Sequence, residues 1–439
     1  MSKFTLTNLL RDHSIYFVLI LTAVLSTACV TPLSVMRHSS VTLPNSTADS
    51  ILNQFSSIVS AADSGADFAC AVDFNALPLV ENAQPAHFLR SGNVGTYAAA
   101  GNITSNAVFD TVMATPGYVK VVNSITWCGG FGANIIGCAG VDSTSMAVVR
   151  WTSAGEGSLW AHEYGHTVGL RHRANSSAIM NATLNGNQDE VDATECQAFV
   201  SRAINNPFND SGIDTGAGAA GSAMTPSSSE VSKLPREIDF PTSHDFEPFD
   251  DMDVVDFVSE TYIHGTPAHL AVKFESPENA KLLAEMLADP RELEHWGNIV
   301  FTLGVIGGTD SVPHIIDWIG RMSSTKMDWN TVRQVSAGMM GLGYLGNRTG
   351  DTQALAYLAH AADPRESRDP EQADMQTVVA QSAAVGIAML GTEKAFAVLE
   401  DLERNPTKPG SQSNPMPYDE LFELHQEVQD FGIHNSLVN

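Results

Sequence analysis

The sequence predicts an α+β domain followed by an all-α repeat domain, and three observations lead there. Strand-like β-branched runs at Val119–Trp127 and Ser145–Trp151 precede a helical run at Ser158–His172. A stretch dominated by Gly, Ala and Ser over 211–229 then breaks the pattern. Beyond it, paired apolar helices recur and close on glycines 39 and 45 residues apart, at Gly307, Gly346 and Gly391.

Charge separates the same two parts. The chain has 439 residues, 43 % hydrophobic and 17 % charged, with a net charge of −27. Residues 29–205 carry −6 and residues 206–439 carry −22. This acidity excludes a non-specific nucleic-acid binder, because a phosphate backbone would repel most of the surface.

The N-terminus reads as a signal peptide over 1–28. Lys3 and Arg11 give a basic start, Ile15–Leu25 is apolar, and Ser26-Thr27-Ala28 supplies small residues. Cys29 follows directly, and the arrangement resembles a bacterial lipoprotein signal, which implies lipidation of Cys29 and a membrane anchor. Ordinary cleavage after Ala28 is the competing reading. Either route expects export, to a bacterial periplasm, an outer-membrane lipoprotein location or the medium. Residues 29–60 are rich in Ser and Thr and read as a tether.

An oxidising compartment makes disulfides reasonable for the four remaining cysteines. Cys128 and Cys138 flank a turn-rich stretch, which favours a local bridge and leaves Cys70 with Cys196. The first folded unit spans 61–205. Residues 206–255 read as a flexible, acidic linker. Its acidic end, from Asp245 to Asp256, raises a structural Ca²⁺ reading, although the spacing fits no EF-hand loop and a solvated segment suits it better.

Residues 256–405 carry the repeat. Phe301–Gly307, Met340–Gly346 and Ile387–Gly391 each end a first helix, and each glycine is expected to cap it. Second helices follow at Val312–Ile319, Ala354–Leu358 and Ala395–Leu402. The pattern resembles HEAT repeats, which implies stacked helix pairs and a surface for a protein partner. His264, His269, His295, His314 and His360 lie scattered here and read as core or surface residues. Residues 406–439 form a tail with a capping helix at Asp419–Phe431.

Chemistry concentrates in His162-Glu163-Tyr164-Gly165-His166-Thr167-Val168-Gly169-Leu170-Arg171-His172. Four residues apart on a helix, His162 and His166 project from one face and can share a metal. Gly169 permits the turn that ends the helix and swings His172 in as third ligand. Three nitrogen ligands leave a fourth position for water, and Glu163 stands beside it as general base. This window, followed by Ser177-Ala178-Ile179-Met180, resembles the metzincin zinc peptidases, nearest to matrixins.

The resemblance implies a twisted mixed sheet with an active-site helix, one catalytic Zn²⁺, and Met180 as the apolar floor of a Met-turn. It implies hydrolysis of a protein or peptide substrate. It also implies that Ser145–Trp151 is the edge strand an extended substrate joins, with Asn181–Asn185 walling the adjoining pocket. Arg173 departs from the residues several subfamilies carry after the third histidine. The other reading is a non-enzymatic surface binding protein built on the repeats, with a degenerate catalytic domain; the intact Glu163 argues against it.

Overall fold

The computed structural model describes residues 30–61, 69–72, 84–85, 87–152, 154–184, 188–205, 237–239, 251–363, 372–405 and 416–436. Residues 1–28, read from sequence as a signal peptide, lie outside them, as do Cys29 and most of the stretch read as a linker. The architecture is mixed α/β, a small set of sheets beside many helices.

Strand order in the main sheet is β11-β12-β8-β2-β6: Gly137–Ala139, Met146–Val149, Val119–Val122, Val35–His38 and Gly95–Tyr97. All neighbours are parallel except β11, which runs antiparallel at the edge. The run expected as edge strand is therefore interior, because β11 covers β12. Smaller sheets pair β1 (Val30–Leu33) with β5 (His87–Arg90), β3 (Ala71–Val72) with β4 (Gln84–Pro85), and β10 (Phe131–Ile135) and β7 (Asn102–Ile103) with β9 (Ser124–Trp127).

Residues 30–60 are no tether. They supply β1, central strand β2 and helix α1 (Asn45–Ser60). In α1, Ala48, Ile51, Leu52, Phe55 and Val59 fall on one buried stripe at helical spacing. That stripe packs on helix α3 (Glu156–Thr167). Phe55 stacks on Phe88 at 4.0 Å between ring centroids and meets Tyr164 of α3 edge-on. Short α2 (Asn106–Ala114) and α4 (Ala193–Asn205) complete this half. Disulfides join Cys128 to Cys138 and Cys70 to Cys196, as an oxidising, exported setting would allow.

The second half begins at α5 (Val254–Ser259), two residues before the expected boundary. Asp253 and Asp256 form its N-terminal capping box, so the acid there starts a helix instead of lining an ion loop. Asp245, Glu247 and Asp250 lie outside the described residues. After α6 (Ala268–Ala271) and α7 (Pro277–Met286) come α8 (Trp296–Ile306), α9 (Ser311–Ser323), α10 (Trp329–Thr349), α11 (Thr352–Ala362), α12 (Ala373–Met389), α13 (Glu393–Arg404) and α14 (Tyr418–Phe431).

Helix α10 packs between α8 and α12. Their repeated glycines mainly serve close approach. A Cβ on Gly304 would stand 2.3 Å from the Gly341 carbonyl oxygen, and one on Gly343 2.3 Å from that of Gly386. Gly346 lies inside α10, which is capped instead by Gly350 at φ 67°. Gly307 does cap α8, but at φ −69°.

The halves are joined by polar and apolar contacts. Asn298 of α8 accepts from Asn134 at 2.6 Å and from Thr266 at 2.7 Å. Arg333 of α10 donates to Asn134 and lies 4.5 Å above the Trp151 ring. Among the described residues, no helix is long and apolar enough to cross a membrane.

Candidate metal centre

Helix α3 is buried along its whole length. Its first turn is anchored by Glu156, which accepts from the Trp151 N–H at 3.0 Å and pairs with Arg150. A carboxylate there also suits the positive end of the helix. One turn from its end, His162 and His166 bring their Nε2 atoms within 3.1 Å of each other. Gly169 then adopts φ +91°, a left-handed conformation that side-chain-bearing residues rarely take. The chain reverses as the Leu170 N–H donates to the Gly165 carbonyl at 2.9 Å. This brings His172 back to the cluster, its ring 4.8 Å from that of His166 and 5.3 Å from that of His162.

Met180 is buried against the helix that carries His162 and His166. A Cβ on Gly165 would fall 2.2 Å from its Sδ, so the methionine lies flush against the helix. The neighbouring Ile179 carbonyl accepts from His162 Nδ1 at 2.9 Å. Arg173 ties this loop down: its N–H donates to the Met180 carbonyl at 3.0 Å and its guanidinium grips Glu195 at 2.9 and 3.0 Å.

Two groups come from outside the motif. Asp239, in the stretch read as flexible linker, places Oδ2 3.1 Å from His172 Nδ1 and accepts the His172 backbone N–H at 2.6 Å. Burial opposes its charge, but the His172 contacts outweigh burial and hold its carboxyl below the ordinary range. His264 fills the fourth side. Its Nε2 lies 3.3 Å from His162 Nε2 and 3.2 Å from His166 Nε2. From sequence alone His264 reads as a core or surface residue and the fourth position as free; the structure places His264 there. Neither residue stands at a spacing from the motif that a sequence pattern could register; the fold alone brings them in.

These four histidines are the group among the described residues that could hold a metal ion, with ligand atoms within 4.8 Å of one another. The donor chemistry fits. His162 and His166 direct Nδ1 at the Ile179 and Leu170 carbonyls, which fixes the proton there and leaves the Nε2 lone pairs facing inward. Lone pairs 3.1–3.3 Å apart repel unless a cation lies between them. A tetrahedral ion with bonds of about 2.05 Å to nitrogen separates its ligands by about 3.3 Å. Burial, then the neighbouring imidazoles, keep His162 neutral, and burial takes His166 down to about 3.

Glu163 is fully buried, and neither carboxylate oxygen has a hydrogen-bond partner. Burial pushes its pKa well above the ordinary carboxyl value. Its Oε1 is 3.9 Å from His264 Nδ1. A buried carboxyl group without partners is costly, so its retention beside four imidazoles calls for a ligand or a reaction.

The motif histidines, Glu163, Gly169 and Met180 thus meet at one centre. Cys70, Cys128, Cys138 and Cys196 stand away from it in disulfides. No family model, curated protein or solved structure matches the chain.

Proposed function

We propose that the chain is an exported zinc-dependent endopeptidase of metzincin type, whose helical half docks substrate or partner in the manner of HEAT repeats. The observation that carries this reading is the buried Glu163 carboxylate, without a hydrogen bond, beside converging imidazoles. Zinc, when bound, would supply a water of lowered pKa and a Lewis acid for the scissile carbonyl. His162, His166 and His172 would hold it, with Asp239 and two backbone carbonyls fixing their orientation.

Glu163 takes the proton of the attacking water at a carboxylate oxygen and returns it to the leaving amine. Burial, which raises its pKa, favours the protonated form that donates to the leaving amine. Backbone groups of the sheet edge at Ile136–Gly137 orient an extended peptide.

Glu163→Gln keeps the side-chain volume and removes the base. The expected result is loss of peptide-library cleavage by about a hundredfold or more, with one zinc per chain retained. Cleavage unchanged by the substitution contradicts the reading.

A further inference from the structure

His264 arrives on a stretch of chain that is paired on both sides as a strand would be. The Thr261 carbonyl accepts from the Leu184 N–H at 2.7 Å, and the Ile263 N–H donates to the Ala182 carbonyl at 3.1 Å. On the opposite wall the Ile263 carbonyl accepts from Ile136 and Gly137 at 2.9 and 3.2 Å. The Thr266 N–H reaches the Ala133 carbonyl at 2.9 Å. One wall follows the Met-turn; the other leads into edge strand β11. Backbone bonds to both walls are the way an extended peptide adds to a sheet edge.

Side chains fasten the stretch. Tyr262 is buried in the core of the helical half and Ile263 in the core of the sheet half. His264 then completes a four-nitrogen set. Closed coordination is the mark of structural sites, whereas a catalytic site keeps a position free. A structural site needs no general base, yet the Glu163 carboxylate is buried beside the set without a hydrogen bond, 3.9 Å from His264 Nδ1.

Building on the peptidase reading, we propose that Thr261–Thr266 is an intramolecular occupant of the substrate cleft and that His264 is a displaceable fourth ligand, so that the helical half holds the peptidase latent. Activity then requires this stretch to leave, and the full chain works at a rate set by the fraction released.

The test uses the full chain with cobalt in place of zinc and azide as the probe of a free coordination position. The wild-type visible spectrum should ignore azide, and that of His264→Ala should shift with it. With zinc restored, His264→Ala should cleave a small peptide library about tenfold faster or more than wild type. An azide response in the wild type equal to that of the variant overturns the proposal, as does a folded His264→Ala that is no faster while wild type cleaves. If the variant gains the azide response and neither chain cleaves, the fourth ligand stands and the peptidase reading falls. Should His264→Ala fail to fold, the wild-type azide measurement decides alone.

Discussion

Asp239 stands against Nδ1 of His172 as backbone carbonyls stand against Nδ1 of His162 and His166. Such partners set ligand basicity and ring orientation, and their loss typically lowers metal affinity about 10–100-fold. Asp239→Ala should weaken zinc by that factor in competition with a chromogenic chelator; unchanged affinity would mean that His172 is positioned by packing alone. Gly169 is the other exacting residue. At φ +91°, and with Asp142 Oδ1 2.8 Å from where a Cβ would lie, Gly169→Ala should cost about 1–2 kcal/mol of stability. A urea titration measures this, and no change would show that the turn can be rebuilt. The histidines, Glu163 and Gly169 were legible in the sequence because helical geometry converts their spacing directly into proximity. Asp239 and His264 were not, because each is delivered by a fold-level contact from a distant part of the chain.

Helix α1 and the triad α8, α10 and α12 carry the lessons at the scale of elements. The Ser and Thr content of residues 30–60 disguises a helix whose apolar stripe is nonetheless written at helical intervals from Ala48 to Val59. Composition misleads there; periodicity does not. Phe55 is fully buried against Phe88, so Phe55→Ala should cost about 3–5 kcal/mol, a loss no tether would register on denaturation. The glycine repeat was legible as a repeat, and Gly307 and Gly391 (φ +61°) close their helices as expected, but the close crossings at Gly304 and Gly343 were not legible. Recurring glycines suit a helix cap and a helix crossing equally well, and only packing decides between them. A side chain at Gly304 must displace the α10 backbone, so Gly304→Val should cost about 1–3 kcal/mol in the same assay. A neutral result would contradict the close crossing.

At the scale of the molecule, the charge contrast between −6 and −22 suggests two halves with separate tasks, yet the contacts join them. Asn134, Asn298 and Arg333 tie the β10 strand to α8 and α10, and the imidazole cluster draws ligands from both sides of the boundary. The strand order followed poorly from sequence, since β11 is only three residues long and its place at the edge is set by pairing with β12. Because the histidines that could hold a metal come from both halves, chelation of such an ion should lower the unfolding temperature of both together. An ion present at a thousand times its dissociation constant adds about 4.1 kcal/mol to the folded state. Calorimetry of the stripped and reloaded chain should therefore show a clear rise on reloading; identical transitions would mean that no ion bridges them.

The most direct test of the central claim is cleavage of a peptide library by the zinc-loaded chain beside its Glu163→Gln counterpart. Chelator-sensitive cleavage at defined bonds is expected of the wild type, with its loss in the variant at equal zinc content. Cleavage that survives both the chelator and the substitution would contradict it.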